Sequence, residues 1–216
     1  LKLGYAFSLG EHLPEKKRAF LSAAPFTPQQ PAMLSAGQSL LKAALQRDIL
    51  LSYPYESMEP FLQMIREAAN DPAVLAIRIT IYRLASKTKL VEYLCAAAEN
   101  GKDVTALIEL RARFDEQNNI DWSERMEEAG CKIIYGFEDY KVHSKICLIT
   151  RRERGAVRHI TQVGTGNYNE KTAKQYTDVS LITADERIGQ EAGAFFNNLA
   201  LGNLSGRYSR LFVAPT

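Results

Sequence analysis

The sequence contains neither a disulfide framework nor a zinc site. Its three cysteines, Cys95, Cys131 and Cys147, lie far apart in apolar segments, and none belongs to a C-x-x-C pair. An odd, scattered set reads as reduced thiols in a reducing compartment, which points to the cytoplasm. No stretch approaches the roughly 18–20 apolar residues needed to span a bilayer. The start, Leu1-Lys2-Leu3-Gly4, has neither an initiator Met nor a signal-peptide pattern, so a fragment of a longer protein is expected. No internal repeat is visible, and His-x-Lys occurs only once. Charge of one sign is lacking too: 27 Lys and Arg against 25 Asp and Glu leave a net charge of +2. That balance neither demands nor excludes a polyanionic partner, so any anion site must come from local clustering.

What remains is the composition of an ordinary soluble globular protein, 46% hydrophobic and 24% charged over 216 residues. A chain of that length buries a sizeable core without staples. Residues 1–34 differ from the rest. Pro14, Pro25, Pro28 and Pro31 punctuate them, and Pro25 to Pro31 reads as an extended linker. Residues 1–47 are read as the tail of a preceding domain and a connector, and 48–216 as the main domain.

From Leu40 onward, helical and strand patterns alternate. Leu40, Leu41, Ala44 and Leu45 recur at helical spacing, and Ile49 to Tyr53 is a short strand ended by Pro54. Ser57 is a candidate N-cap for a helix with Phe61, Leu62, Ile65 and Ala69 facing inward. Val74 to Tyr82 reads as a buried strand, followed by a helix from about Thr88 to Glu99 that stops at Asn100-Gly101. A strand over Val104 to Leu110, a helix over 119–129 and a strand over Lys132 to Tyr135 come next. Strands are then expected at Lys141–Thr150, Val157–Val163 and Thr177–Thr183, before a last helix from about Glu186 to Leu199. The fold class is α/β (mixed α+β), a mixed β-sheet flanked by helices.

His143-Ser144-Lys145 carries the most specific chemistry. Two positions apart on a strand, His143 and Lys145 share a face, with Val142, Ser144, Ile146 and Leu148 on the other. A neutral imidazole can attack phosphorus while the ammonium neutralises oxygens in the transition state. The tripeptide alone is a weak motif that arises often by chance. Gly164-Thr165-Gly166-Asn167-Tyr168-Asn169 follows a strand; its glycines and asparagines can offer backbone and side-chain amides to an anion, or form an ordinary turn. Arg83 and Arg113 close strands where ligands of open α/β sheets gather, and a guanidinium suits bidentate phosphate binding. Arg111, near Glu109 and Asp115, reads equally as a paired surface arginine. Tyr176 suits stacking on a purine or hydrogen bonding to phosphate, and equally a half-buried strand edge. His12, His159 and Trp122 read as structural.

Taken together the motifs are more specific. Tyr53-Pro54-Tyr55-Glu56-Ser57, Asp71-Pro72-Ala73-Val74, Ile81-Tyr82-Arg83, Ala112-Arg113-Phe114-Asp115-Glu116, His143-Ser144-Lys145, Gly164 to Asn169 and Tyr176-Thr177-Asp178 occur in one order. Over roughly Asp48 to Leu199, this resembles the first catalytic domain of the polyphosphate kinase family, built from two phospholipase-D-like halves. The resemblance implies reversible transfer of the terminal phosphate of ATP to inorganic polyphosphate through a phosphohistidine on His143. It implies ATP and ADP as substrates and Mg2+ as cofactor. Arg83 and Arg113 match the magnesium-phosphate site, acting through phosphate oxygens because a guanidinium is no ligand for a cation. Tyr176 matches a nucleotide-contacting tyrosine, and Lys145 and Asn167 match phosphate-binding residues of the wider superfamily; Gly164 and Gly166 belong to the same loop.

The resemblance further implies a homo-oligomer in the full-length protein, no nucleic acid partner, and a location that is cytoplasmic or membrane-peripheral. Its second catalytic half is absent here, so this fragment alone is expected to be inactive. One departure bears on the alternatives: where hydrolytic phospholipase-D motifs place an Asp, this chain has Thr150. That disfavours a phosphodiesterase completed by dimerisation. The remaining alternative is a non-catalytic polyanion-binding module, which would be favoured by a buried, hydrogen-bonded His143 with no basic residues around it.

Overall fold

A computed structural model of the chain describes residues 3–24, 26–85, 88–109, 116–137 and 140–214. After a 3-10 helix over Leu3–His12 come α1 (Glu15–Leu21), α2 (Leu40–Gln46), β1 (Ile49–Tyr53), α3 (Glu59–Asn70) and β2 (Val74–Ile81). These are followed by α4 (Lys89–Glu99), β3 (Asp103–Ile108), α5 (Glu116–Glu128), β4 (Lys132–Tyr135), β5 (Ile146–Glu153) and β6 (Ala156–Gly164). A 3-10 turn over Thr172–Lys174, β7 (Asp178–Thr183) and α6 (Glu186–Ala200) complete the order. No helix among the described residues is long and apolar enough to cross a membrane.

The strands form one seven-stranded mixed sheet in the order β1-β7-β6-β5-β2-β3-β4. β2, β3 and β4 run parallel, linked by α4 and α5, whereas β5, β6 and β7 form an antiparallel meander. The two parts meet where β2 pairs antiparallel with β5. Alternation along the strands divides the core. Ile77, Ile79 and Ile81 of β2, Ala106 and Ile108 of β3, and Cys147 and Ile149 of β5 face the layer of α2, α3 and α4. On the other face Leu107, Ile146 and Leu148 meet Ala192, Phe195, Phe196 and Leu199 of α6. Gly189 lets α6 approach β6 closely, because a Cβ there would stand 2.5 Å from Cβ of His159.

Phe61, Leu62, Ile65 and Ala69 form the buried stripe of α3 as expected. Three local expectations change. The cap lies one position beyond Ser57, at Met58, and Ser57 accepts a hydrogen bond from the Glu59 N–H, 3.1 Å. The helix expected over 119–129 starts earlier, at Glu116. The strand expected over Lys141–Thr150 begins only at Ile146 and runs on to Glu153. Ladder pairing accounts for the last shift, since β5 meets β6 from Ile146↔Val163 onward and β2 from Ile79↔Cys147. Residues 141–145 lie beyond that ladder, and their backbone is held by side chains of other elements.

Candidate functional site

Register places the chemistry along one rim of the sheet. The carboxyl ends of parallel β2 and β3 lie side by side, with Ile81 opposite Ile108. β5 runs the other way, so the segment leading into it, His143 to Lys145, reaches the same rim. β6 ends there at Gly164, opposite Ser180 near the start of β7. Tyr82-Arg83, Glu109, His143-Lys145, Gly164-Asn167 and Tyr176-Asp178 therefore converge, although they span almost a hundred residues. Arg113, with Arg111 and the rest of the Ala112-Arg113-Phe114-Asp115 run, lies outside the described residues.

Side chains lock the His143 segment from beneath. Thr80 of β2, fully buried, donates its hydroxyl to the Ser144 carbonyl, 2.8 Å, and accepts the Ile146 N–H, 3.2 Å. The buried Glu109 carboxylate accepts the Val142 N–H at 2.9 Å. Gly164 N–H reaches the Lys145 carbonyl at 2.9 Å. On this mount, which is not the expected strand, His143 is exposed and Lys145 is buried. Lys145 Nζ lies 3.1 Å from His143 Nδ1 and also donates to the His143 carbonyl oxygen. The Tyr82 ring packs edge-to-face on the imidazole, centroids 4.9 Å apart.

The electrostatics suit a nucleophile. Burial, and then the Lys145 ammonium, hold the pKa of His143 below the ordinary histidine range. The imidazole therefore keeps a lone pair at neutral pH. Burial also lowers the pKa of Lys145, against the opposing pull of Asp178. An exposed histidine beside a buried lysine removes the geometry that would favour a non-catalytic module.

The loop after β6 divides its labour differently from the sequence reading. Tyr168 is buried, stacks on Phe61 at 4.7 Å and donates to Gln162, so it anchors the loop. Asn169 Oδ1 accepts the N–H groups of Lys171 and Thr172, closing the next turn. Asn167 differs: its buried Oδ1 has no hydrogen-bond partner among the described residues. Gly164 and Gly166 serve close packing, for a Cβ would stand 3.0 Å from the Val179 carbonyl at the first and 2.8 Å from Asp178 Oδ2 at the second. Tyr176 projects into solvent, 62% exposed, free to take a planar ligand.

Arg83 follows β2 with its guanidinium carbon 6.0 Å from the Tyr82 ring centre. Its loop is held by α5, a contribution absent from the sequence reading. Asn119, fully buried, donates to the carbonyls of Tyr82, 3.1 Å, and Glu109, 2.9 Å, tying the ends of β2 and β3. Asn118 donates to Leu84 and the Trp122 indole to Ala85. The clue available in the sequence was polarity where an amphipathic helix should be apolar, but Asn residues read as a solvated face.

Beside the rim opens a cavity of about 640 Å3, with His143, Lys145 and Gly164 on one wall and Phe195, Leu204 and Tyr208 on the other. The segment after α6 forms that second wall. Glu191 holds it, accepting the N–H groups of Ser209, Arg210 and Leu211 and the Ser209 hydroxyl. The described residues do not fit a protein-held magnesium ion: no group of three or more His, Cys, Asp or Glu could hold a metal. Asp178 accepts from the Thr165 hydroxyl, 2.7 Å, and faces Lys145, and the Glu109 carboxylate is engaged by the Val142 N–H.

The family model for Polyphosphate kinase C-terminal domain 1 matches residues 39–204. A polyphosphate kinase of Staphylococcus haemolyticus is 45% identical over 215 residues, covering 100% of this chain and 30% of that protein. One from Neisseria meningitidis serogroup C is 43% identical over 198 residues, 92% of this chain and 29% of that protein. The chain thus spans about 30% of the length of these curated relatives. The crystal structure of polyphosphate kinase from Porphyromonas gingivalis superposes with a TM-score of 0.77 at 35% identity, over 92% of this chain and 33% of that one. Nuc from Salmonella typhimurium, a phospholipase D family member, superposes at 0.56 with 16% identity, over 76% of this chain and 99% of that one, a likeness of fold alone. A family match over most of the chain, with 45% identity along its whole length to a named relative, puts this chain in the polyphosphate kinase family.

Proposed function

We propose that this chain is the half of a polyphosphate kinase on which His143 accepts the terminal phosphate of ATP and passes it, reversibly, to inorganic polyphosphate. The observation that carries the reading is the exposed imidazole beside a buried ammonium, 3.1 Å away, on a rim that also bears Arg83. A lone pair on an imidazole nitrogen attacks the γ-phosphorus, the bond to the β-bridging oxygen breaks, and ADP leaves with that electron pair. A terminal oxygen of polyphosphate then attacks the phosphorus, and the ring nitrogen recovers its pair.

An ammonium only donates, so while Lys145 pairs with Nδ1 the neutral ring carries its proton on Nε2. Attack from Nε2 requires Lys145 to turn its hydrogens onto the phosphoryl oxygens, leaving Nδ1 to take the proton. The same movement brings positive charge to where the transition state needs it. Arg83 and Asn167 are read as further phosphate contacts, Arg113 as another, and Tyr176 as the contact to the base. Gly164 and Gly166 shape their loop. Magnesium is read as arriving on the nucleotide phosphates and neutralising their charge.

The remainder of the site is assigned to a second catalytic half of the parent protein, so this chain alone is read as inactive. The full-length protein is read as a homo-oligomer without a nucleic acid partner, in a reducing compartment that keeps three buried thiols free. The test uses the full-length parent with γ-labelled ATP and magnesium. An acid-labile, base-stable label that is absent from His143→Ala and chases into long-chain polyphosphate is expected. No label, with a phosphodiester hydrolysed instead, would replace this reading by a phosphodiesterase.

A further inference from the structure

We infer that Tyr82 is a positioning residue for phosphoryl transfer, its ring holding the His143 imidazole in line while Lys145 engages the phosphate. The inference rests on the reading of His143 as the nucleophile. The imidazole is exposed and has two side-chain partners among the described residues: a hydrogen bond from Lys145 and the edge-to-face contact with Tyr82, at 4.9 Å and 69°. The first is the one that phosphate must take away. An ammonium directing its hydrogens to phosphoryl oxygens no longer restrains Nδ1, and an exposed side chain without restraint samples its rotamers freely. The contact with Tyr82 does not compete with phosphate for a hydrogen bond, so it persists through the step.

Tyr82 is itself firmly placed. It immediately follows β2, and its carbonyl is held by the buried Asn119 amide. Its ring also lies 5.5 Å from Lys145 Nζ and 6.0 Å from the Arg83 guanidinium carbon. One π-system therefore neighbours all three groups, and its negative face offsets part of the repulsion between the Lys145 and Arg83 cations. The phenol hydroxyl makes no hydrogen bond among the described residues, so the ring and not the hydroxyl carries the role.

The experiment is single-turnover phosphorylation of the full-length protein by γ-labelled ATP, comparing wild type, Tyr82→Phe and Tyr82→Leu. Tyr82→Phe is expected within twofold of wild type. For Tyr82→Leu the rate constant should fall about tenfold or more, as misalignment of a reacting group demands, with labelled fraction and half-saturating ATP unchanged. A merely structural role would instead lower the labelled fraction at an unchanged rate constant, and that pattern overturns the inference. Equal loss in Tyr82→Phe overturns it in favour of the hydroxyl, and an unaffected Tyr82→Leu overturns it outright. Absence of label in the wild type would remove the phosphohistidine reading and this inference with it, and is distinct from each of those patterns.

Discussion

Replacing Thr80 by Val tests the mount beneath His143 with almost no change of shape. Thr80 is fully buried, and its single hydroxyl both donates to the Ser144 carbonyl and accepts the Ile146 N–H. A valine methyl fills the same space but leaves a buried N–H without an acceptor. The Ser144 carbonyl, at an exposed residue, can turn to water, so it contributes less. An unsatisfied buried donor costs about 1–3 kcal/mol and a lost neutral hydrogen bond about 1. Relief from burying the hydroxyl offsets part of this, giving a net loss of about 2–3 kcal/mol. For a domain of this size that lowers Tm by roughly 4–12 °C. Urea unfolding should show a lower midpoint at an unchanged slope, as expected for a loss of stability alone. In the full-length protein, phosphorylation of His143 should slow as well, since residues 144–146 carry the histidine. A Thr80→Val chain within about 0.5 kcal/mol of wild type, the range of ordinary surface changes, would refute the claim that this hydroxyl anchors the site.

Three further outcomes are expected. Gly166→Ala should destabilise by about 1–3 kcal/mol in urea unfolding, because its Cβ meets Asp178 Oδ2 at 2.8 Å and Asp178 Cβ at 2.9 Å. The rate of His143 phosphorylation against pH should reach half-maximum below about 6.5, since burial and Lys145 lower the histidine pKa and keep the neutral form present at lower pH. Burial works to raise the Glu191 pKa, but hydrogen bonds from Ser209, Leu211 and Arg210 hold it at about 2, below the 4.5 of a free glutamate. A depressed carboxylate pKa gives stability that is present above the unfolded value and lost as pH falls through the folded one. Protection of the 209–211 amides from hydrogen exchange, corrected for intrinsic rates, should therefore decline between those two values.

The elements were legible because their periodicity is strong: the α3 stripe and the alternating β-branched residues of β2 are where the sequence put them. The closeness of His143 and Lys145 was expected from their spacing on a strand, and they are close although the segment is no strand. The strand beneath them was misplaced by five residues, because where a ladder starts depends on its neighbours, and Val163 and Ile79 are remote in sequence. Asn167 and Asn169 look alike in sequence, yet one closes a turn and the other keeps a buried oxygen unpaired. Glu109 was noticed only as a neighbour of Arg111, which lies outside the described residues, and its carboxylate accepts the Val142 amide. For Asn119 the only clue was polarity, since a buried amide that serves backbone carbonyls is indistinguishable by type from a solvated one.

The seam between β2 and β5 has a consequence for how the protein is made. On the amino-terminal side, β2, β3 and β4 pair in sequence order and can assemble from contacts local in the chain. The other side closes late: β5 returns to β2 across some seventy residues, and β1 waits for β7, its only strand partner among the described residues, which begins at Asp178. Pairings of such high sequence separation form slowly. During synthesis from the amino terminus, the rim thus lacks Asp178 and the Gly164–Asn167 loop until nearly the whole domain has left the ribosome. A nascent chain stalled before β7 carries His143 and Lys145 but exposes an unpaired β6 edge and lacks Asp178. Assembly of the rim is therefore a property of the finished sheet, gained in a single late closure, and not one that accumulates residue by residue.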